Sequence, residues 1–477
     1  MKFTKKNLIL GLAIGAYSLF FSELGHIYIT TSIVLSYIVF LFCVYLLLFK
    51  NFQLAICTVL LFILSLPFVP RNFAEFQLEL IQPQSLIFTQ FLIFPLSIWL
   101  FLIAAILSVK RIGLKFFLKP TRFLAYTLTL LVFIMFGTAL DILFSRDTIS
   151  IKYILNDLRF FVLIISGIAI GTNFFRPDQK RDSRLQLVDF LKTLTICYAF
   201  KTIIIIVIDI IQLNILFSFA TSPYIFTPLF LAFLVAKNIS FKNRTAGLIF
   251  CFIALFSISR GNYLLILVSI LLFFVFFSGK NATKTKIKLI VLSPVFFIFI
   301  FTLALKVLPP KTASVIVYKL NFFSDELLDS NNLNRSTQVR IYELKNIYSE
   351  SKNSKYPILV GQGLGGYFEF KNHPPPFEIL PWDYSIDQIK SKKYFKPHTF
   401  LNYAFLKGGL LFVSFFLLSA KYFIINARKQ IKLNSHLEVK FYYYYLFFFS
   451  LVIFQLFWIP ELVVLWGIIT PSLKKGL

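Results

Sequence analysis

The chain has 477 residues, of which 58% are hydrophobic, 18% aromatic and only 14% charged, and its mean hydropathy is +0.79. This composition excludes a water-soluble globular protein, in which about a quarter of the residues are charged. A net charge of +27 would point to nucleic acid in a soluble protein, but here the basic residues must first be compared with the membrane topology.

The amino terminus carries Lys2, Lys5 and Lys6 ahead of an apolar stretch at 8–21. These features are typical of the first two regions of a secretory signal peptide. Since no small-residue cleavage pattern follows, we expect an uncleaved first membrane span.

Apolar runs that approach the roughly 20 residues of a membrane-crossing helix recur along the chain. They lack the alternating polarity of barrel strands. The sequence therefore predicts an all-α polytopic membrane protein with about fourteen transmembrane helices. The expected spans are 7–22, 29–49, 52–69, 84–108, 123–145, 158–175, 187–211, 223–237, 245–259, 261–279, 289–307, 399–419, 441–457 and 459–473.

The lysines and arginines favour one orientation of these spans. Segments expected to face the cytoplasm hold 27 of them, whereas the short segments on the opposite side hold five. Since short cytoplasmic loops carry the excess of basic residues, both termini are predicted inside, and most of the positive charge is explained without nucleic acid. Three regions result: helices one to eleven in 1–307, a large non-cytoplasmic loop at 308–398, and helices twelve to fourteen in 399–477.

The large loop contains one predicted amphipathic helix at 335–350, whose apolar face carries Ile341, Leu344 and Tyr348. A glycine-rich turn and a triple proline follow this helix. Apolar segments also hold the cysteines, without metal-ligand spacing, so neither a metal nor a disulfide framework is predicted. The cysteines are Cys43, Cys57, Cys197 and Cys251.

Arginines occur at two places on the predicted outer face. Arg260 lies in the tight turn 259–262 between two spans, where an ionisable group commonly has a specific partner, although it could also reach lipid phosphates. Arg335 and Arg340 lie on the loop helix. The alternative for this helix is a solvated charged face, with Arg340 paired to Glu343 at little energetic gain.

Gly361, Gly363 and Gly365 lie in a turn at 361–366. With Gly366 this segment formally matches the dinucleotide-binding pattern G-x-G-x-x-G, but no helix follows it. Such glycines let the backbone turn closely against the membrane domain or against a phosphate-bearing substrate. His398 and Asn402 begin span twelve. His398 is a candidate catalytic imidazole, or an interfacial residue bonded to a carbonyl group.

Lys201 and Asp209 lie eight residues apart inside span seven. Charged groups at that depth are costly and find partners within the helical bundle. Two interpretations remain open for Lys201: a role in a substrate cavity, or structural pairing with another span.

The order of these features resembles the O-antigen ligase and O-antigen polymerase superfamily over Thr245 to Phe416. The Arg260 turn, the helix bearing Arg340, the glycine turn and His398 follow one another as in that family. One departure is that Lys407 precedes the glycine pair of span twelve, where the family commonly has an acidic residue. The resemblance implies a transferase that moves a glycan from undecaprenyl diphosphate at the periplasmic face of a bacterial inner membrane, without nucleotide sugar, metal or other cofactor.

Each candidate residue is expected to have a distinct role in such a reaction. Arg260 and Arg340 would hold the diphosphate leaving group, because a guanidinium offers two parallel hydrogen bonds to phosphate. His398 would orient or deprotonate the acceptor hydroxyl. Asn402, Lys201, Arg335 and the three turn glycines are expected to contact the substrate.

The acceptor stays open, because lipid A core ligation, glycan polymerisation and transfer to protein would all use the same donor. Membrane lipids are expected neighbours in every case. The alternative function is a transporter or flippase for lipid-linked oligosaccharide. Such proteins commonly show inverted repeats or broken helices.

Overall fold

A computed structural model describes the greater part of the chain and is mostly helical. The described residues are 4–21, 28–66, 85–92, 94–113, 122–144, 151–176, 183–213, 225–236, 241–254, 269, 335–353, 358–379, 384–456 and 460–473. The helices are α1 Lys5–Leu19, α2 Ile29–Phe49, α3 Phe52–Leu64, α4 Leu96–Ile112, α5 Arg122–Phe144, α6 Ile151–Phe174, α7 Ser183–Leu213, α8 Phe226–Val235, α9 Phe241–Ala254, α10 Arg335–Asn353, α11 Ile386–Ser391, α12 Phe400–Leu433, α13 Leu437–Leu456 and α14 Pro460–Ile469. A short 3-10 helix, Thr470–Leu473, follows α14.

The protein is an all-α membrane-embedded protein. Among the described residues, four helices are long and apolar enough to cross a bilayer: Ile29–Phe49, Ile151–Phe174, Ser183–Ile208 and Phe400–Leu433. Several shorter apolar helices accompany them. Helices lie in twelve of the fourteen predicted spans. Span 261–279, apart from residue 269, span 289–307 and the Arg260 turn fall outside the described residues.

Helix α2 illustrates how the membrane solvent selects each face. It buries Ser32 and Ser36 and exposes Ile38, Leu41 and Phe42. In water this arrangement would be unfavourable, but lipid tails solvate large apolar side chains, and small residues let helices approach closely. The face with small residues therefore packs against the protein, and the strongly apolar face is suited to lipid.

Two predicted spans differ most from the observed elements. Span 84–108 begins with a short antiparallel strand pair, β1 Gln90–Phe91 and β2 Phe94–Pro95, and its helix starts only at Leu96. Pro95 has no N–H to continue a ladder but is compatible with a helix start. Helix α12 continues to Leu433, well beyond the expected end at 419. The apolar length of a span marks where the membrane ends, whereas the helix itself continues into polar sequence.

Helices α6 and α14 pack almost backbone to backbone. A Cβ atom added at Gly171 would lie 2.2 Å from the Ile468 carbonyl oxygen, and one at Gly467 would lie 2.5 Å from that of Ile164. Only glycine fits at such an approach, as at other membrane helix crossings with small residues. This contact fixes the position of the charged residues at the start of both helices.

The helix ends form two separate groups. At one end, which we call the Gln53 end, Gln53 Nε2 donates to the Phe174 carbonyl at 2.8 Å and to Ser183 Oγ at 2.7 Å. These contacts join the starts of α3 and α7 to the end of α6. At the other end, the starts of α6, α12 and α14 meet around Asp157, and we call this the Asp157 end. The predicted alternation of spans assigns each group to one side of the membrane.

The loop segments pack over the Asp157 end around a small core of their own. Ile347 of α10, Phe368, Tyr384, Tyr394 and Leu406 of α12 form this cluster. A backbone bridge joins Phe368 to Tyr394, with N–H to O distances of 3.1 and 3.0 Å. The loop is therefore attached to α12 by apolar packing.

The prediction of which face of the loop helix is buried is wrong. Leu344 and Tyr348 are 45% and 51% exposed, whereas Glu343 and Asn346 of α10 are fully buried. The reason is that α10 turns a mixed face inward, where its polar groups bond to the loop and to the start of α12. A pattern based on apolar residues alone cannot detect such a face.

Candidate functional site

Helix α12 is broken at Gly409, where φ is 57° and ψ is −150°. In a regular helix, the N–H groups of Leu410 and Leu411 would donate to the carbonyl groups of Leu406 and Lys407. The break separates these donors from these acceptors inside an apolar helix. Buried backbone groups need other partners at this point, because unpaired ones are costly.

The glycine turn, residues 358–366, supplies those partners. The carbonyl groups of Ile358 and Leu359 accept from the two N–H groups after the break, both at 3.1 Å. The N–H groups of Gln362 and Gly363 donate to the two carbonyl groups before it, at 2.8 and 3.0 Å. Four hydrogen bonds to the turn thus satisfy the backbone at the break.

Three further N–H groups of the turn are also in use. Those of Leu364 and Gly365 donate to Thr138 Oγ1 at 2.6 Å and Asp157 Oδ2 at 2.7 Å, and that of Gly366 donates to a carbonyl within the turn. A phosphate cradle needs several N–H groups directed at the ligand. Of the two roles predicted for these glycines, the geometry therefore favours close packing against the membrane domain.

Replacing Gly409 by alanine is expected to lower the free energy of unfolding by about 2–4 kcal/mol, from positive-φ strain together with overpacking. The new Cβ would lie 2.2 Å from the Ile358 carbonyl oxygen. Gly113→Ala is the matched control, because Gly113 has φ +80° with nothing within 4 Å of an added Cβ. Thermal unfolding in detergent should show the larger loss for Gly409→Ala, and equal losses would contradict the inserted-turn geometry.

A buried ion pair lies next to the break. Lys407 Nζ is 2.7 Å from Asp157 Oδ2 and donates to the Gly366 carbonyl at 2.5 Å. The hydroxyl of Tyr403 donates to the other Asp157 oxygen. Lys407, which departs from the family pattern, is thus explained by a carboxylate partner on another helix.

A second ion pair joins α6 to α14. Arg159 pairs with Glu461, whose side chain is only 1% exposed, and Ser97 Oγ donates to the same Glu461 oxygen at 3.2 Å. The charges of Arg159 and Glu461 both act on the ammonium group of Lys396. Desolvation, and then the positive charge of Arg159, lowers the pKa of Lys396, while Asp157 and Glu461 raise it.

A carboxylate and an imidazole meet where the loop helix touches the start of α12. Glu343 is fully buried and pairs with His398 Nδ1, and its oxygens accept from the His398 backbone N–H at 3.1 and 3.0 Å. Tyr384 donates its hydroxyl to Glu343, and Asn402 Nδ2 donates at 3.3 Å. The ion pair of Glu343 that the structure shows is therefore with His398, in place of the predicted pair with Arg340.

This arrangement determines which nitrogen of His398 can act as a base. A carboxylate that is ionised only accepts hydrogen bonds, so a neutral imidazole beside it would carry its proton on Nδ1 and its lone pair on Nε2. With a side chain that is 28% exposed, the imidazole is oriented by a buried anion and remains accessible from solvent.

The other predicted site residues are distributed differently. Arg340 is exposed, and its carbonyl accepts from Asn402 Nδ2 at 3.1 Å, so Asn402 links the loop helix to α12. Arg335 begins α10, but its side chain lies outside the described residues. Arg260 lies outside them altogether.

The contacts of Lys201 fit structural pairing with neighbouring helices, which is one of the two interpretations that the sequence left open. Its Nζ donates to the Ser65 carbonyl at 3.0 Å and to Ser18 Oγ at 3.2 Å, and it lies 4.1 Å from the Tyr198 ring centroid. These contacts join α7 to α1 and to the end of α3. The side chain of Asp209 is outside the described residues.

Glu350 gives the loop a pH-dependent stability. Desolvation raises its pKa from 4.5 to about 7, against hydrogen bonds from the Glu369 N–H at 2.8 Å and from Gln362. Because the pKa of this carboxyl group is higher in the folded protein than in the unfolded chain, its contribution to stability is fully present below the pKa of the unfolded chain. This contribution is lost as the pH rises through about 7. Glu350→Gln should therefore match wild type near pH 4.5 and exceed its melting temperature at pH 8. The same difference in melting temperature between the two proteins at both pH values would contradict this assignment.

Sequence reasoning did not select Asp157, Arg159 or Glu461 and read Glu343 only as a partner of Arg340. One available signal was the presence of ionisable residues at the ends of apolar segments, which are costly unless paired. No sequence pattern indicated which partner each would find. Among the described residues, no group of three or more His, Cys, Asp or Glu side chains could hold a metal ion.

Comparisons with known proteins add no family to this description. No family model matches the chain, no curated protein is significantly similar in sequence, and no solved structure matches it. The chemical possibilities of the site therefore follow from its own geometry and charge.

Proposed function

We propose that this protein transfers a glycan from undecaprenyl diphosphate to an acceptor hydroxyl at the periplasmic face of a bacterial inner membrane, as an O-antigen ligase or polymerase does. The observation that carries the proposal is the pairing of buried Glu343 with solvent-accessible His398 at the end of a membrane bundle. A carboxylate that holds an imidazole in one tautomer is a recurrent device for activating a hydroxyl group.

The proposed reaction is a direct displacement. His398 Nε2 accepts the proton of the acceptor hydroxyl while that oxygen bonds to the anomeric carbon of the donor sugar. The bond from this carbon to the diphosphate oxygen breaks, and undecaprenyl diphosphate leaves with the electron pair. Arg260 and Arg340 hold the leaving diphosphate, and Arg335 contacts the substrate.

Packing roles are assigned to the other candidates on the strength of their contacts. The glycine turn carries the loop into the break of α12, and Asn402 joins α10 to α12. Lys201 joins three helices. Lipid A core, a growing glycan or a protein would each present the same hydroxyl chemistry to His398.

Transport of lipid-linked oligosaccharide is the second candidate function. Two observations favour it: the broken helix α12 and the buried Asp157–Lys407 pair beside the break. Discontinuous helices and intramembrane charges are common in transporters. In contrast to a transferase, a transporter would not require the accessible imidazole of His398.

Glycan profiles in a deletion strain test the proposal. Complementation with His398→Ala, Arg260→Gln or Arg340→Gln should fail to restore long glycan chains at protein levels equal to wild type. Single-unit bands would indicate failed polymerisation, and unmodified acceptor would indicate failed ligation. His373→Ala is the matched control, because His373 is an exposed histidine of the same loop. Full restoration by His398→Ala would remove His398 from the mechanism.

A further inference from the structure

Three separate segments of the chain meet at the carboxylate of Glu343. Glu343 itself comes from α10, and it accepts a hydrogen bond from Tyr384 of the loop. His398 and Asn402, at the start of α12, supply further hydrogen bonds. Because the Glu343 side chain is fully buried, these donors replace the water that would otherwise solvate the carboxylate. The position of Glu343 therefore depends on residues that lie far apart in sequence.

The two oxygens of Glu343 differ in the side chains that they contact. Oε1 accepts from the hydroxyl of Tyr384 and pairs with Nδ1 of His398. Oε2 accepts from Asn402 Nδ2 at 3.3 Å. The backbone N–H of His398 lies within hydrogen-bond distance of both oxygens. Tyr384 thus binds the oxygen that contacts the imidazole ring, whereas Asn402 binds the other one.

Tyr384 also contacts the imidazole directly. Its ring stands edge to face against the ring of His398, with the centroids 4.9 Å apart and an angle of 84° between the planes. This is a favoured arrangement of two aromatic rings, and it restricts rotation of the imidazole. One side chain therefore touches both members of the carboxylate–imidazole pair.

The small core of the loop holds Tyr384 in place. Tyr384 is only 5% exposed, and its ring centroid lies 4.5 Å from that of Tyr394 and 6.3 Å from that of Phe370. Phe368 packs at 6.4 Å, and Leu406 of α12 belongs to the same cluster. Side chains packed on several sides hold a ring in one rotamer. The orientation of Tyr384 is therefore coupled to the packing of the loop on α12.

We propose that Tyr384 is a positioning residue, which holds the Glu343 carboxylate and the His398 imidazole in the orientation needed to accept the proton of the acceptor hydroxyl. This inference rests on the proposed function. The Tyr384 hydroxyl fixes Oε1 of Glu343, and the Tyr384 ring limits rotation of the imidazole. Tyr384 takes no proton itself and acts through the Glu343–His398 pair. Packing of the loop on α12 thereby assembles the pair.

Tyr384→Phe tests the hydroxyl group while it keeps the ring. With the purified full-length protein in proteoliposomes, kcat for glycan transfer should fall about tenfold or more, because a hydrogen bond to a buried charged group is lost. The KM values of donor and acceptor should stay within about twofold of wild type, since Tyr384 contacts neither substrate. A kcat equal to that of wild type would overturn the proposal.

Tyr394→Phe is the matched control for loss of a tyrosine hydroxyl. The ring of Tyr394 packs in the same cluster, and among the described residues its hydroxyl bonds to neither Glu343 nor His398. This variant should keep the kcat of wild type. An equal loss in Tyr394→Phe and Tyr384→Phe would show a general effect on the loop core and contradict the positioning role.

A double variant shows whether the hydroxyl acts through Glu343. Added to Glu343→Gln, Tyr384→Phe should lower kcat by less than about twofold, because the carboxylate on which it acts has been removed. A further loss of about tenfold in this background would contradict action through Glu343.

Nuclear magnetic resonance of isotope-labelled histidine nitrogens gives a readout that needs no glycan transfer. The chain has four histidines, and His398→Gln identifies the signals of His398. The neutral ring should show a single tautomer in wild type and in Tyr394→Phe, and two tautomers in Tyr384→Phe. An unchanged tautomer in Tyr384→Phe would overturn the positioning role. A changed tautomer, together with no transfer by wild type, would support the positioning role and overturn the proposed function alone.

Discussion

Lys407→Ala is expected to lower the free energy of unfolding by about 3–5 kcal/mol, because it leaves a buried carboxylate without its cation. The side chain of Asp157 is 9% exposed and would keep its hydrogen bonds from Tyr403 and Gly365. The Gly366 carbonyl would also lose its donor. Unfolding in mixed micelles, followed by circular dichroism, measures the change.

The double variant Asp157→Ala with Lys407→Ala separates the ion pair from general packing. It should be more stable than Lys407→Ala alone, because no unpaired charge remains buried. Lys421→Ala is the control for lysine loss, since Lys421 is an exposed residue of the same helix. A double variant less stable than the single one would show that Asp157 does not depend on Lys407.

Glu343→Gln is expected to slow glycan transfer about 100-fold or more, although glutamine has nearly the same shape as glutamate. An amide cannot compensate a developing imidazolium charge, and its NH₂ group competes for the role of donor to His398 Nδ1. The prediction rests on the proposed function. Transfer rates with a saturating lipid-linked donor, measured from pH 5 to 9, check it.

A double variant distinguishes an effect on the imidazole from a general loss of structure. His398→Ala should be slow at every pH, and adding Glu343→Gln to it should cause no further loss. Glu378→Gln, at an exposed loop residue, is the control. A wild-type rate for Glu343→Gln would exclude Glu343 as a positioning residue.

The helices could be predicted from the sequence because membrane solvation imposes long apolar segments. Ile29–Phe49 and Ile151–Phe174 lie in or around their predicted spans for this reason. The break at Gly409 could not be predicted in the same way. A glycine pair is tolerated in membrane helices, and only the distant turn 358–366, which bonds to both sides of the break, distinguishes an interruption from a regular helix.

The candidate site was only partly predictable because its partners are far apart in sequence. His398 was selected from its position, but Glu343, which orients it, is 55 residues away. Asp157 and Lys407 lie on different helices, and neither residue indicates the ion pair without the other. Residue types identified chemically capable groups, whereas pairing depended on tertiary packing.

The most direct test of glycan transfer uses purified protein reconstituted in proteoliposomes with an undecaprenyl-diphosphate-linked glycan, an acceptor and no nucleotide. Glycan transfer predicts release of undecaprenyl diphosphate in equal molar amount to the extended acceptor, and loss of both products with His398→Ala. Movement of the intact lipid-linked glycan across the bilayer, without either product, would contradict the transferase and favour the transporter.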